Sequence, residues 1–228
     1  MRYTGPRVTR FPGPDQMLVR KFFRNNGLSI VLFLLFAVFL VGQSWAGFRY
    51  HNGERLQRGQ PEIGYGEYLS GPHFLEAMFE NWESEFLQMG LFVILTALLV
   101  QKGSAESHQP EGERKKEHSR KSRRGWVPRF LFDHSLSLSL LLLFALSFTG
   151  HAISGCRDFN EEEVARGGQA IGVLDYIRTP RFWFESFQNW QSEFLSIGVL
   201  VILTIFLREK GSSQSKALDA PHAQTGPE

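Results

Sequence analysis

Glu85 and Glu193 occupy the same place in two copies of one motif, Asn-Trp-x-Ser-Glu-Phe-Leu, at residues 81–87 and 189–195. Each precedes a long uncharged apolar run. A carboxylate at the lip of such a run costs free energy unless it faces protein, water or a partner. Two of them brought together and partly desolvated favour a bound proton or cation. On a helix Asn81 and Glu85 share a face with Thr96, and Asn189 and Glu193 share a face with Thr204. The shift that superposes the motifs also pairs Gln43 with His151, near the outer ends of two further apolar runs. The expected site is therefore a cluster of Gln43, Glu85, His151 and Glu193, with Asn81 and Asn189 above it and the histidine able to bridge the carboxylates. Its chemistry would be cation binding or proton exchange. The competing role, which the residue types favour, is a hydrogen-bond network that fixes helix register.

Other chemistry finds little support. No HExxH, GxSxG or P-loop pattern is present. His51, His73, His134 and His151 do not form a facing intramembrane pair within one helix, so neither haem nor another cofactor is expected, and no metal ligand set is assigned. A hydrolase built on Glu85 and His151 would lack a nucleophile, so no catalytic residue is named. The single cysteine, Cys156, excludes an internal disulfide and a CxxC pair, and it reads as a loop residue. The net charge of +2 over 228 residues argues against a nucleic-acid partner.

The elements that must carry the site are apolar. The mean hydropathy of −0.19 resembles a soluble chain only because apolar and charged blocks cancel. Four runs, at about 28–45, 82–100, 136–153 and 190–207, hold no Lys, Arg or Pro in their interiors. Each is close to the roughly 20 residues that cross a hydrocarbon core. Runs one and three carry almost no polar stripe, which separates them from the buried helices of a soluble bundle. The first run is read as a retained helix rather than a cleaved signal, because its pattern returns internally. Arg and Lys concentrate before the first run and between the second and third, so both termini and the linker are expected in the cytoplasm.

A shift of 108 residues aligns the halves without a gap: Leu28-Ser29 on Leu136-Ser137, Gly42 on Gly150, Tyr68 on Tyr176, Pro72 on Pro180, Phe74 on Phe182, and Lys102-Gly103-Ser104 on Lys210-Gly211-Ser212. The expected fold is an all-α four-helix transmembrane bundle made from a tandem two-helix repeat, with a pseudo-twofold along the membrane normal. The parts are a basic segment 1–24, a first repeat 25–104, a charged disordered linker 105–128, a second repeat 129–212 and a disordered tail 213–228. Pro72 and Pro180 suit the first turns of helices that run into spans two and four. Trp82, Trp183 and Trp190 then fall at headgroup depth as interfacial anchors.

The segment Phe22-Phe23-Arg24-Asn25-Asn26-Gly27-Leu28-Ser29 and the duplicated Asn-Trp-x-Ser-Glu-Phe-Leu motif resemble an uncharacterised bacterial membrane family, classified as a domain of unknown function. The resemblance covers nearly the whole chain apart from the linker centre and the tail. It implies four spans and a bacterial cytoplasmic membrane, and it supplies no activity, cofactor or catalytic residue. The expected partners are membrane lipids, with self-association left open. The leading expectation is a non-enzymatic structural or envelope-associated membrane protein. A small channel or proton-coupled transporter comes second, and a membrane-embedded enzyme third.

Overall fold

A computed structural model of the chain describes residues 14–108 and 126–226. The start of the basic N-terminal segment and the centre of the linker lie outside these residues. Among the described residues every regular element is helical: α1 (Pro14–Gln57), α2 (Tyr65–Ser70), α3 (Pro72–Leu98), α4 (Trp126–Asp133), α5 (Ser135–Ala165), α6 (Val173–Tyr176) and α7 (Pro180–Phe206). The chain divides at Tyr65 into two compact units.

In the first unit α1 is apolar on all its faces between Ile30 and Val41, the pattern of a helix solvated by lipid. It ends where Gly59 takes a left-handed φ of 71°. This conformation is open to glycine at little cost, and it lets the chain turn back. Asn52 then clamps the returning segment: its Nδ2 donates to the Ile63 carbonyl at 3.1 Å and its Oδ1 accepts from the Ile63 amide at 3.0 Å. Tyr65 closes the turn on Ser44 at 2.7 Å.

The second unit builds the same hairpin. Gly167 has φ 83° after α5. Asn160 donates to the Ile171 carbonyl at 2.9 Å and accepts from its amide at 2.8 Å. Val173 packs on Ala152 and Cys156. Cys156 is thus a buried residue of α5, and the expectation of a loop thiol is corrected. Helices α3 and α7 both have 27 residues and begin and end 108 positions apart, at 72 against 180 and 98 against 206. Proline opens each, supplying the helical φ where no amide partner is needed. Thr179 caps α7 by accepting from the Phe182 amide at 3.4 Å.

Within this unit α3 packs along α5 and against α7. Two glycines of α5 set the spacing. A methyl on Gly150 would lie 2.6 Å from the Phe79 ring, and one on Gly155 would lie 2.6 Å from the Tyr176 hydroxyl. Small residues allow close helix approach in this way. The buried face of α5 runs Ser137, Leu140, Ser147, His151, Ser154, Asp158 at helical spacing, so run three does carry a polar stripe, made mostly of serines.

Among the described residues three helices are long and apolar enough to cross a membrane: Arg20–Gln57, Ser135–Ala165 and Pro180–Phe206. On this measure α3, expected as a fourth span, falls short. Glu76, Glu80, Glu83, Glu85 and Gln88 occupy its first two-thirds and leave an uncharged stretch too short for a span by composition.

The tail expected to be without structure is a series of turns closed on one side chain. Lys216, buried, donates through Nζ to the carbonyls of Gly103, Ile205, Pro221, His222 and Gln224. Ser104 meets Thr204 at 2.9 Å beside it, and the Gly226 amide donates to the Ser104 carbonyl at 2.9 Å.

Candidate functional site

The polar chemistry of the second unit gathers where the N-terminal halves of α3 and α7 meet the C-terminal half of α5. Its centre is Glu83, fully buried on α3. Oε2 of Glu83 accepts from Nδ1 of His151 at 3.1 Å. Oε1 accepts from the Ser186 hydroxyl at 2.9 Å and from the Trp190 indole at 3.2 Å. Every donor comes from another helix, so one carboxylate ties α3 to both α5 and α7. His151 is fully buried, stacks on Phe182 at 4.8 Å, and points its second nitrogen at Oε2 of Glu185, 3.6 Å away. That Nε2 makes no hydrogen bond.

One helical turn higher lies a second centre, Arg181. Its Nε donates to Glu185 at 2.8 Å, its Nη2 to Asp158 at 3.1 Å and its Nη1 to Glu162 at 3.0 Å, while Glu76 stands 3.7 Å off. Arg is suited to such a role because its planar fork presents several donors in fixed directions. Tyr176, fully buried between the centres, donates to Glu185 at 3.0 Å and lies 3.4 Å from Glu76. Asn189 donates to Glu80 at 2.5 Å and completes the rim.

Five carboxylates (Glu76, Glu83, Asp158, Glu162 and Glu185) thus gather around the Arg181 guanidinium and the His151 imidazole, with Arg166 also on Glu162 and Glu80 held by Asn189. Charge on this scale is tolerated away from water only when it is paired or neutralised. Glu76 lies ahead of the apolar run of α3. Burial first, and then the charges of Asp158 and Glu185, push it up to about 9, so it holds a proton at neutral pH. Burial and the same kind of neighbours, Glu76 and Glu185, push Tyr176 up as well, which keeps its hydroxyl a donor.

The residues singled out in the sequence are distributed unevenly. His151 is at the centre, and Asn189 is on the rim. Glu193 is half-buried on α7 and close enough to Glu85 for the two to repel, but Glu85 itself is exposed on α3. Gln88 donates to the backbone carbonyl of Glu193 at 3.2 Å. Asn81 is exposed and its side chain turns back to the Ala77 carbonyl of its own helix at 2.6 Å. Gln43 lies exposed on α1, in the other unit. Trp183 is exposed and Trp82 half-buried, whereas the Trp190 indole is a donor to Glu83.

The structure adds Glu76, Glu83, Asp158, Tyr176, Arg181, Glu185 and Ser186. Glu83 stands in the quoted motif two residues before Glu85, and the one mismatch of that motif, Glu83 against Gln191, was the available signal.

No curated protein and no solved structure matches the chain. The chain belongs to the family described as Domain of unknown function (DUF6766), which matches residues 19–227 and so runs through the linker and most of the tail as well as the helices.

Proposed function

We propose that the chain is a non-enzymatic, multi-pass protein of a bacterial cytoplasmic membrane, with four spans and both termini in the cytoplasm. In this reading the Glu83 and Arg181 centres form a lock that holds α3, α5 and α7 together on the outward side. One observation carries it: Glu76 and Glu83 of α3 are buried against α5, α6 and α7. A helix that fails as a span on composition therefore places Glu76 and Glu83 inside the bundle and leaves Met89, Leu95 and Leu98 for lipid. Polar groups are tolerated at this depth when they face protein. The matching lengths of α3 and α7, the paired asparagine clamps and the paired left-handed glycines support a duplicated hairpin whose copies enter the membrane in the same sense.

The test is topology. On a Cys156→Ser background, single cysteines replace Ser70 and Lys102, which flank α3. A membrane-impermeant maleimide added to intact cells should label the first and spare the second. Labelling of both from the same side removes α3 from the set of spans and the four-span reading with it.

A further inference from the structure

The Glu83 centre holds one ring nitrogen that the lock does not use. His151 is fully buried, its Nδ1 is engaged by Glu83, and its Nε2 makes no hydrogen bond. A buried nitrogen without a hydrogen bond costs on the order of 1–3 kcal/mol, and the 3.6 Å approach of Glu185 Oε2 offsets this only in part. It faces carboxylates: one ligand atom each of Glu76, His151 and Glu185 lie within 4.8 Å of one another. We propose that Glu76, His151 and Glu185 bind a divalent first-row transition cation of the zinc or manganese type.

Four features of the site fit this chemistry. Glu83, an acceptor, engages Nδ1 and leaves Nε2 directed at Oε2 of Glu185, so a cation entering between them takes the place of a proton on Nε2. This is the orientation in which histidines commonly bind metal, with a carboxylate behind the ring. Glu185 is anchored through Oε1 by Arg181, so its Oε2 is the oxygen turned to the site. Ligand bonds of about 2.0–2.2 Å around one ion require ligand atoms roughly 3–3.6 Å apart, and the His151–Glu185 separation already falls near that range. Tyr176, between the two glutamates, leaves the fourth position to its hydroxyl or to a water. One imidazole with two carboxylates selects against soft cations, which need thiolates, and against magnesium and calcium, which prefer oxygen alone. The surplus of carboxylates over cationic side chains supplies the attraction, and the proton on Glu76 is released to solvent as the ion binds.

The assignment uses the residues of the lock but does not depend on how many helices span the membrane. The test uses full-length protein in detergent micelles, stripped with a chelator and dialysed, then titrated with Zn2+ and with Mn2+ by calorimetry; Co2+ absorption reports the ligand field. Wild-type protein should take up one ion per chain. His151→Gln places at 151 the residue found at position 43 of the other repeat, and it should abolish binding while helix content is kept. Glu76→Gln should weaken binding at least tenfold. Glu83→Gln, which touches the ring and not the ion, should weaken it about 10–100-fold. Glu193→Gln should bind like wild type.

Absence of uptake by the wild type overturns the proposal, as does unchanged binding in His151→Gln or displacement of Zn2+ by equal Mg2+. If His151→Gln does not fold, Glu76→Gln and Glu83→Gln decide: unchanged affinity in both overturns the site. A chain that binds no metal, yet loses stability on Arg181→Met, keeps the lock and loses only the metal.

Discussion

The two repeats use shared residues to build the hairpin and mostly unshared ones to build the polar cluster, Glu162 with its counterpart Glu54 being the exception among the carboxylates. Asn52 and Asn160 make the same double hydrogen bond to the returning chain, and Gly59 and Gly167 make the same left-handed turn. Tyr68 and Tyr176 are both buried, but Tyr68 contacts His73 at 3.5 Å where Tyr176 donates to Glu185. At the cluster itself the copies part. Glu83 stands against Gln191, His151 against Gln43, Arg181 against His73, Glu185 against Ala77, Asp158 against Tyr50, and Glu76 against Phe184. Duplication supplied a scaffold twice, and the ionisable residues mark where one copy became different from the other. Chemistry in a duplicated chain is therefore to be sought at the mismatches.

The largest expected effect comes from removing the guanidinium that only the second repeat carries at this position. Arg181→Met leaves Glu185, Asp158 and Glu162 without their common partner, and should destabilise the protein by about 3–5 kcal/mol. Thermal unfolding of the purified chain in micelles measures it; a loss under about 1 kcal/mol would place the arginine with exposed ion pairs. Glu83→Gln keeps the shape and removes the charge that collects His151, Ser186 and Trp190, with an expected cost of about 2–3 kcal/mol. Indole fluorescence should shift with it, because Trp190 then faces a neutral amide in place of a carboxylate. Gly155→Ala drives a methyl toward Tyr176 and Glu76, and should cost about 1–3 kcal/mol by the same melting assay.

The smallest effect sharpens the contrast. Glu85→Gln with Glu193→Gln removes the pair that the repeats do share, and should change stability by less than about 0.5 kcal/mol. If this double variant melts earlier than Glu83→Gln, the shared residues carry the site and the comparison is reversed. A change in proton or cation flux in vesicles would return the pair to ion handling.

Much of the architecture was legible in residue order. Hydropathy located the apolar runs, and the prolines located the starts of α3 and α7, because a ring-locked φ and a missing amide act locally. Two things were not legible. Hydropathy adds along the chain and cannot distinguish a glutamate facing α5 from one facing lipid, so α3 was read as a simple span. The serines of α5 lowered the local average too little to reveal that their spacing formed a buried stripe. The site was half legible for the same reason. His151 was found through its symmetry with Gln43, but its partner lies 68 residues away and the Ser186 contact to Glu83 spans 103. Only packing brings those together. Repetition points to Glu85 rather than Glu83, yet a helix turns about 100° per residue and two positions separate opposite faces.

The Lys216 ammonium is held by main-chain oxygens of Gly103 beyond α3, of Ile205 at the end of α7 and of the tail, with no carboxylate among its acceptors in the described residues. Such a fastening reads backbone path rather than side-chain identity, as a potassium ion does among carbonyls. Neighbouring positions of the tail are then free to drift in sequence while the knot survives. Acetylation of this one amine would remove the charge and two of its three donors, and the tail would come loose without any change elsewhere in the helices.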